Sequence, residues 1–271
     1  MPQQFEALTY EARDGVGILT FNRPDVRNAL DMTLRNEIEM LLPAIRDDRS
    51  LRALIITGAG GFFCSGGDLK SLTETDRTAE QNRERIARLH TWFSQLANLE
   101  IPVISAVDGP AFGAGMSLAL GADIVLASTR ARFCASFGRF GLVPDLGGLF
   151  VLPRLVGLQR AKEIVFSGRS IFAEEAQKLG LVLEIYSPED LLSEALNYAK
   201  RFSTSSPLAT GQAKIILNQS FNLDQRALAD IEAWAQALCL DSAYHKSAVQ
   251  RFLKKEPVAF DWDRMDKEQA T

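Results

Sequence analysis

Ile101-Pro102-Val103-Ile104-Ser105-Ala106-Val107-Asp108-Gly109-Pro110-Ala111-Phe112-Gly113-Ala114-Gly115-Met116-Ser117 is the stretch on which the reading of the fold turns. Val103 to Val107 has the small and apolar pattern of a buried strand. The glycines that follow let the backbone approach whatever binds at the strand's end. A helix expected from about Gly115 to Leu120 points its free N–H groups at the same place. A backbone shaped this way holds an anion or a developing negative charge. Further on, Phe140-Gly141-Leu142-Val143-Pro144-Asp145-Leu146-Gly147-Gly148 sets a lone acid in an apolar loop.

Upstream, Val16 to Phe21 reads as a strand, followed by the turn Asn22-Arg23-Pro24. A helix from about Asp31 then carries Leu30, Leu34, Ile38, Leu41 and Ile45 on one face. Ala53 to Thr57 is a second strand, and it too ends in glycines, Gly58-Ala59-Gly60-Gly61-Phe62-Phe63-Cys64-Ser65-Gly66-Gly67-Asp68. The polar segment Thr73 to Arg85 lacks an apolar period and reads as a mobile loop or an exposed helix start; Ile86, Leu89, Phe93 and Leu96 then give a helical stripe. Downstream, short strands are expected at Asp123 to Ser128 and Arg132 to Ala135. Helices are expected at Ala161 to Phe166, closed by Gly168, and at Ala173 to Leu179, closed by Gly180. Ser187-Pro188-Glu189-Asp190 has the form of a helix start, with a capping serine and proline at the first position.

Beyond Ser203 to Pro207 the strands stop, and helices are expected at Leu208 to Asn218 and roughly Leu223 to Phe252. The chain therefore divides into an α/β core over residues 1–203, which holds the site, and a helical region over 204–271. Ile231, Trp234, Leu238 and Leu240 make that region either a packed subdomain or an oligomerisation element.

Composition narrows the function classes. A 271-residue chain with 46% hydrophobic and 24% charged residues can bury a sizeable core, which argues against long disorder. A net charge of -4 gives no sign of a nucleic-acid binder. The start Met1-Pro2-Gln3-Gln4-Phe5-Glu6 lacks the regions of a secretory signal, and no apolar run approaches the ~20 residues of a membrane span. A cytosolic location with no membrane partner is the expectation. Cys64, Cys134 and Cys239 are too far apart to read as a disulfide framework or, with only His90 and His245, as a metal site.

Among candidate sites, Gly58-Ala59-Gly60 and Gly113-Ala114-Gly115 each follow a strand, but the third glycine of the dinucleotide fingerprint is Phe63 in one and Leu118 in the other. Ser117 and Cys64 lack the Gly-x-Ser-x-Gly elbow of a nucleophile and have a plain packing explanation. His90 is the one histidine placed to act as a base near the site; alternatively it is a half-buried helical residue. Asp145 is the strongest candidate, because its apolar neighbours should raise its pKa toward the range useful for proton transfer. Its plainer reading is a turn aspartate that caps Gly147-Gly148.

Together these segments resemble the enoyl-CoA hydratase/isomerase, or crotonase, superfamily. The resemblance rests on Asn22-Arg23-Pro24 with Asn28-Ala29-Leu30, Phe63 to Leu69, Pro102 to Gly115, Gly141-Leu142-Val143-Pro144 with Gly147-Gly148, Leu152 to Gly157, and Gly180-Leu181-Val182. It implies a spiral of strand-strand-helix units with a C-terminal helical trimerisation region, assembled as a homotrimer or a dimer of trimers. It also implies a coenzyme A thioester substrate, with no metal or redox cofactor. The backbone N–H groups of Gly67 and Ala114 would form the oxyanion hole. Cys64, Ser65, Gly66, Asp68 and Leu69 would line the coenzyme A path. Gly115, Ser117, Phe137 and Phe140 would touch substrate, the two phenylalanines shaping the acyl pocket, and Arg27 and Lys255 would meet the phosphates.

The departures bear on the reaction. Hydratases of the superfamily carry two glutamates, and the matching positions here are Ser117 and Phe137. An aspartate after Pro144 is instead similar to the single-base isomerases, including those of phenylacetyl-CoA pathways. The expectation is a double-bond shift with Asp145 as the acid/base. Alternatives are a hydratase in the broad family sense, a dehalogenase similar to those acting on 4-chlorobenzoyl-CoA with Asp145 and His90, and a non-catalytic acyl-CoA binder.

Overall fold

A computed structural model describes residues 5–68 and 76–269, so Leu69 and the residues 73–75 of the polar segment lie outside the described residues. The chain builds a six-stranded sheet from β1 (Leu8–Arg13), β2 (Val16–Phe21), β3 (Ala53–Gly58), β4 (Val103–Val107), β6 (Ile124–Ser128) and β9 (Glu184–Tyr186), in the order β1-β2-β3-β4-β6-β9. The first pair is antiparallel and the rest are parallel. A second sheet joins β5 (Pro110–Phe112), β7 (Arg132–Cys134) and β8 (Ser170–Phe172). With the helices between them these strands form the α/β spiral expected of the chain.

Both faces of the large sheet are covered, which is why β3 and β4 read as continuous buried runs. The two-residue period splits their side chains. Leu54 and Ile56 face a large cluster with Leu34, Ile38 and Leu42 of α1 (Met32–Asp47) and Trp92 and Phe93 of α2 (Ala79–Ala97). Ala53, Ile55 and Ile104 face a smaller cluster with Leu191, Ala195 and Ala199 of α6 (Leu191–Lys200). Between the sheets the chain turns at Gly109, where φ is +67° and a Cβ would stand 2.0 Å from the Gly61 carbonyl oxygen. Asp108 fixes that turn by accepting hydrogen bonds at 2.7 Å from Ser128 Oγ and from Arg130 Nε.

The structure corrects several expected boundaries. Residues 79–85 of the polar segment are the exposed helix start that was one of its two readings: they open α2 behind a capping box between Thr78 and Gln81. The helix expected at Ala161 to Phe166 is the end of a longer one, α4 (Gly148–Ser167), which is broken by Gly157 at φ +73°. Ser187 caps the turn that leads into α6, its Oγ accepting from Asp190 N at 3.1 Å and its carbonyl from Leu191 N at 3.0 Å, while the regular helix begins later than expected, at Leu191. β1, β5, β8 and β9 are strands that the sequence pattern did not declare.

After α6 the chain is helical: α7 (Pro207–Gln219), α8 (Gln225–Asp241), α9 (Ala243–Leu253) and α10 (Trp262–Gln269), with Ser242 dividing the long helix expected over Leu223 to Phe252. Trp234, Leu238, Phe252 and Leu253 are exposed on this region. No helix of the described residues is long and apolar enough to cross a membrane. The region is anchored to the core through Lys214 of α7, whose Nζ meets Asp123 Oδ2 at 2.7 Å and donates to the Ile101 carbonyl at 3.0 Å. The same Asp123 oxygen accepts from Val103 N at 2.7 Å, at the head of β4. Burial outweighs the pairing in both partners, pushing the Asp123 carboxyl up and the Lys214 ammonium down. Lys214→Met strands that carboxylate and is expected to destabilise the fold by about 3–5 kcal/mol, read as a lower midpoint in urea unfolding.

Candidate active site

Two backbone loops meet at the carboxyl ends of β3 and β4. The segment after β3 runs beside β5: Cys64 N donates to the Pro110 carbonyl at 3.1 Å, and Phe112 N to the Cys64 carbonyl at 2.9 Å. Its other edge is held by Leu30, whose N–H donates to Gly66 at 2.8 Å and whose carbonyl accepts from Asp68 at 3.4 Å. Among the described groups the N–H of Gly67 is left without an acceptor. So is that of Ala114, the first residue of α3 (Ala114–Leu120), because the opening N–H groups of a helix have no intrahelical partner.

Glycine is required where these loops touch. Gly113 turns the chain into α3 at φ 53° and ψ -124°, a conformation closed to other residues. A Cβ on Gly66 would stand 2.7 Å from the Phe112 carbonyl oxygen and 3.4 Å from Ala114 N. One on Gly115 would stand 2.2 Å from the Cys64 carbonyl oxygen. The Cys64 side chain is fully buried, and burial pushes its thiol up to about 12, so it serves packing and not attack.

Asp145 lies on a turn between a single helical turn (Ser136–Phe140) and α4. Leu146 is fully buried at φ +45° and Gly147 follows at φ +73°; packing holds the leucine in a sparsely populated conformation, as at many functional turns. The turn is clasped from two sides. The Phe93 ring of α2 is wedged between Gly121 and Gly147, each of which would place a Cβ 2.5 Å from it. A Cβ on Gly148 would meet Ser117 Oγ of α3 at 2.5 Å. The Asp145 Oδ1 atom is buried without a hydrogen-bond partner. Burial raises this carboxyl above the ordinary carboxylate range, against the opposing pull of Arg35, His90 and Arg85.

Of the other candidates, Ser117 is buried beneath Gly148, and Phe137 is buried with its ring tip 4.0 Å from the Cβ position of Gly113. His90 is exposed on α2 yet near enough to act on the Asp145 charge. Phe140 is exposed, so it is not a buried wall of the acyl pocket in the single chain. Ser65 N donates to the Arg27 carbonyl at 3.0 Å, and Arg27 lies with its Cζ 5.9 Å from the Phe62 ring centre. Lys255 is exposed on the left-handed turn after α9, and Asp68 is half-buried at the end of the first loop.

Sequence reasoning missed Arg35 and Arg85. Arg35 is 6% exposed, and its Nη2 lies 3.7 Å from the Cβ position of Gly67. The available signal was its spacing: 35, 38, 42 and 45 follow one face of α1, so a charge occupies the apolar stripe.

Comparison with known proteins agrees with this architecture. The profile of the enoyl-CoA hydratase/isomerase family matches residues 11–263. The 1,2-epoxyphenylacetyl-CoA isomerase of Escherichia coli is 32% identical, over 94% of this chain and 98% of that protein. The short-chain-enoyl-CoA hydratase of Clostridium acetobutylicum is also 32% identical, over 92% and 95%. A crystal structure of an enoyl-CoA hydratase/isomerase from Cupriavidus metallidurans superposes with a TM-score of 0.91 at 41% identity, covering 95% of this chain and 97% of that one. The chain belongs to the enoyl-CoA hydratase/isomerase family and is an enzyme of that family. Relatives of both reaction types stand at the same identity, so likeness alone does not choose between them.

The raised Asp145 carboxyl has a consequence for stability. The unfolded chain gives up this proton at the ordinary carboxylate value near 3.9, before the folded one does. Ionised Asp145 therefore costs stability, a cost absent below that value and complete above the raised one. Asp145→Asn is expected to raise Tm at pH 7, with the gain shrinking as pH falls toward about 4. A Tm at pH 7 below that of the wild type would contradict the raised carboxyl.

Proposed function

We propose that the protein is an acyl-CoA isomerase that shifts a double bond in an enoyl thioester. The observation that carries this reading is the Asp145 carboxylate, which has an unpaired buried oxygen and, among the described residues, no second carboxylate in the set of groups that shift it. The thioester oxygen accepts hydrogen bonds from Gly67 N and Ala114 N. Asp145 removes a proton from the carbon alpha to the thioester, and the resulting dienolate keeps its charge on the oxygen held by those two N–H groups. The protonated Asp145 then returns its proton at the gamma carbon, which leaves the double bond conjugated and the carboxylate regenerated. Coenzyme A runs past Cys64 to Asp68, with Arg27 and Lys255 toward its phosphates. Asp145 supplies the proton chemistry, so the step calls for no metal or redox cofactor.

Hydration by paired acids is disfavoured because neither Ser117 nor Phe137 carries a carboxyl group to position and activate water. Nucleophilic dehalogenation through Asp145 and His90 keeps one supporting observation, the nearness of His90 to the Asp145 charge. Phe137, however, has no N–H to hold such a nucleophile.

A 3-enoyl-CoA should gain the ultraviolet absorbance of a conjugated thioester, while a 2-enoyl-CoA should be hydrated slowly. Asp145→Asn should lower kcat at least ~100-fold while thioester binding persists; retained turnover would sink the assignment. We further propose that α7 to α9 mediate assembly into a trimer or a dimer of trimers, because Ile231, Trp234, Leu238 and Leu240 are all at least two-fifths exposed on the single chain. Light scattering should then report a trimer or hexamer, and Trp234→Glu should shift the mass toward the monomer; a wild-type monomer would refute the assembly.

A further inference from the structure

Arg35 is more than nine-tenths buried, and its Nε has no hydrogen-bond partner. Its place is fixed by the entry to α1. Asp31 caps that helix, accepting from Leu34 N at 2.9 Å, and is itself paired with Arg23 at 3.0 Å. Leu30, one residue earlier, holds the loop from Gly66 to Asp68 through its backbone. The guanidinium one turn into the helix is thereby set against that loop. Among the described residues, Arg35 Nη2, at 3.7 Å, is the one atom beyond the chain neighbours of Gly67 that comes within 4 Å of its Cβ position. Arg35 is acted on by Arg85 of α2, by Asp145, by Asp31 and by the Cys64 thiol. Asp145 is acted on in turn by Arg35 and by His90 and Arg85 of α2. The two acids offset the arginine through space, yet no carboxylate of a described residue comes within ion-pair distance of it.

Proton abstraction at this site also moves a charge. When Asp145 takes the proton alpha to the thioester, the electron pair of the C–H bond passes into the dienolate. A negative charge then leaves the carboxylate and arrives on the oxygen held by Gly67 N and Ala114 N. A positive charge packed at the place of arrival, and unpaired at the place of departure, favours that transfer. We propose that Arg35 is a positioning residue for the isomerisation: its unpaired guanidinium, packed against Gly67, draws negative charge from Asp145 onto the thioester oxygen. The dienolate lies between the two proton transfers, so stabilising it lowers both barriers. A direct Arg35–Asp145 ion pair would work against the step, because it would be broken each time the carboxyl is protonated. This inference rests on the acyl-CoA isomerase reading above.

The test measures kcat/KM for 3-hexenoyl-CoA against pH in the wild type, Arg35→Met and Arg35→Lys. Methionine fills the place of the buried stem without its charge, and Arg35→Gln serves should Arg35→Met not fold. In either neutral variant Asp145 loses the largest charge opposing its burial, so the acid limb should move to higher pH. The plateau above that limb should fall about tenfold, the effect of one charge acting without contact. Kd for hexanoyl-CoA, which forms no enolate, should stay within about twofold of the wild type. Arg35→Lys should recover part of both losses. A plateau that falls with the limb unmoved assigns Arg35 to the shape of the Gly67 loop, and a moved limb with an unmoved plateau confines its charge to the carboxylate; either overturns the proposal. A second measurement needs no turnover. Ionised Asp145 costs stability and costs more without Arg35, so Asp145→Asn should raise Tm at pH 7 by more in Arg35→Met than in the otherwise wild-type protein. Both gains should shrink as pH falls toward about 4. Each gain compares proteins that differ at Asp145 alone, so titration of His90 cancels. Equal gains overturn the proposal even where turnover is intact. Should the wild type not turn over 3-hexenoyl-CoA, the isomerase reading fails, whereas unequal gains still support Arg35 as the charge that acts on Asp145.

Discussion

The site depends on one contact between two backbones. Gly115 lies so close to the Cys64 carbonyl that a Cβ would stand 2.2 Å from its oxygen. That contact is what brings the loop after β3 against the start of α3, and with it the two unmatched N–H groups of Gly67 and Ala114. A side-chain donor in either place would need its rotamer fixed by further packing. Here the donors are fixed by the ladder that joins Cys64 to Pro110 and Phe112, and by Leu30 on the opposite edge. The fold pre-positions them before any ligand arrives.

Charge is arranged under tension around this fixed frame. Burial drives Asp145 toward neutrality, and two arginines and a histidine draw it back. The same burial acts on Arg35 from the other side, where Arg85 adds to it and Asp145 opposes it. The groups are kept near enough to influence one another but too far apart to pair. A carboxylate in that position stays available to accept a proton.

Much of this was legible from the residues. Val103 to Val107 reads as a strand because both faces of it are covered, and Gly168 and Gly180 stop their helices in the left-handed conformation that favours glycine. Asp145 stood out through its apolar neighbours. β1 did not, because most of Leu8–Arg13 is exposed or half-exposed on an edge strand and its polar residues give no burial signal. Strands of three residues, such as β5 and β8, are too short for any period to show. Ser187 was legible as a cap, and its hydroxyl does accept from Asp190 N, but the turn it closes is not regular helix, so α6 starts only at Leu191. Arg35 was hidden by its residue type: a charge is ordinarily assigned to solvent, although its helical spacing to Ile38 and Ile45 already set it on the apolar stripe.

Phe93 has a further meaning once its neighbours are set side by side. Its ring tip separates Gly121, at the end of α3, from Gly147, two residues past the acid. Both glycines press on it without side chains of their own, so the thickness of one aromatic ring sets the gap between the helix that offers Ala114 N and the turn that carries Asp145. The ring works as a gauge block. The spacing between the Asp145 turn and α3 is thereby set by a residue of the hydrophobic core that belongs to neither.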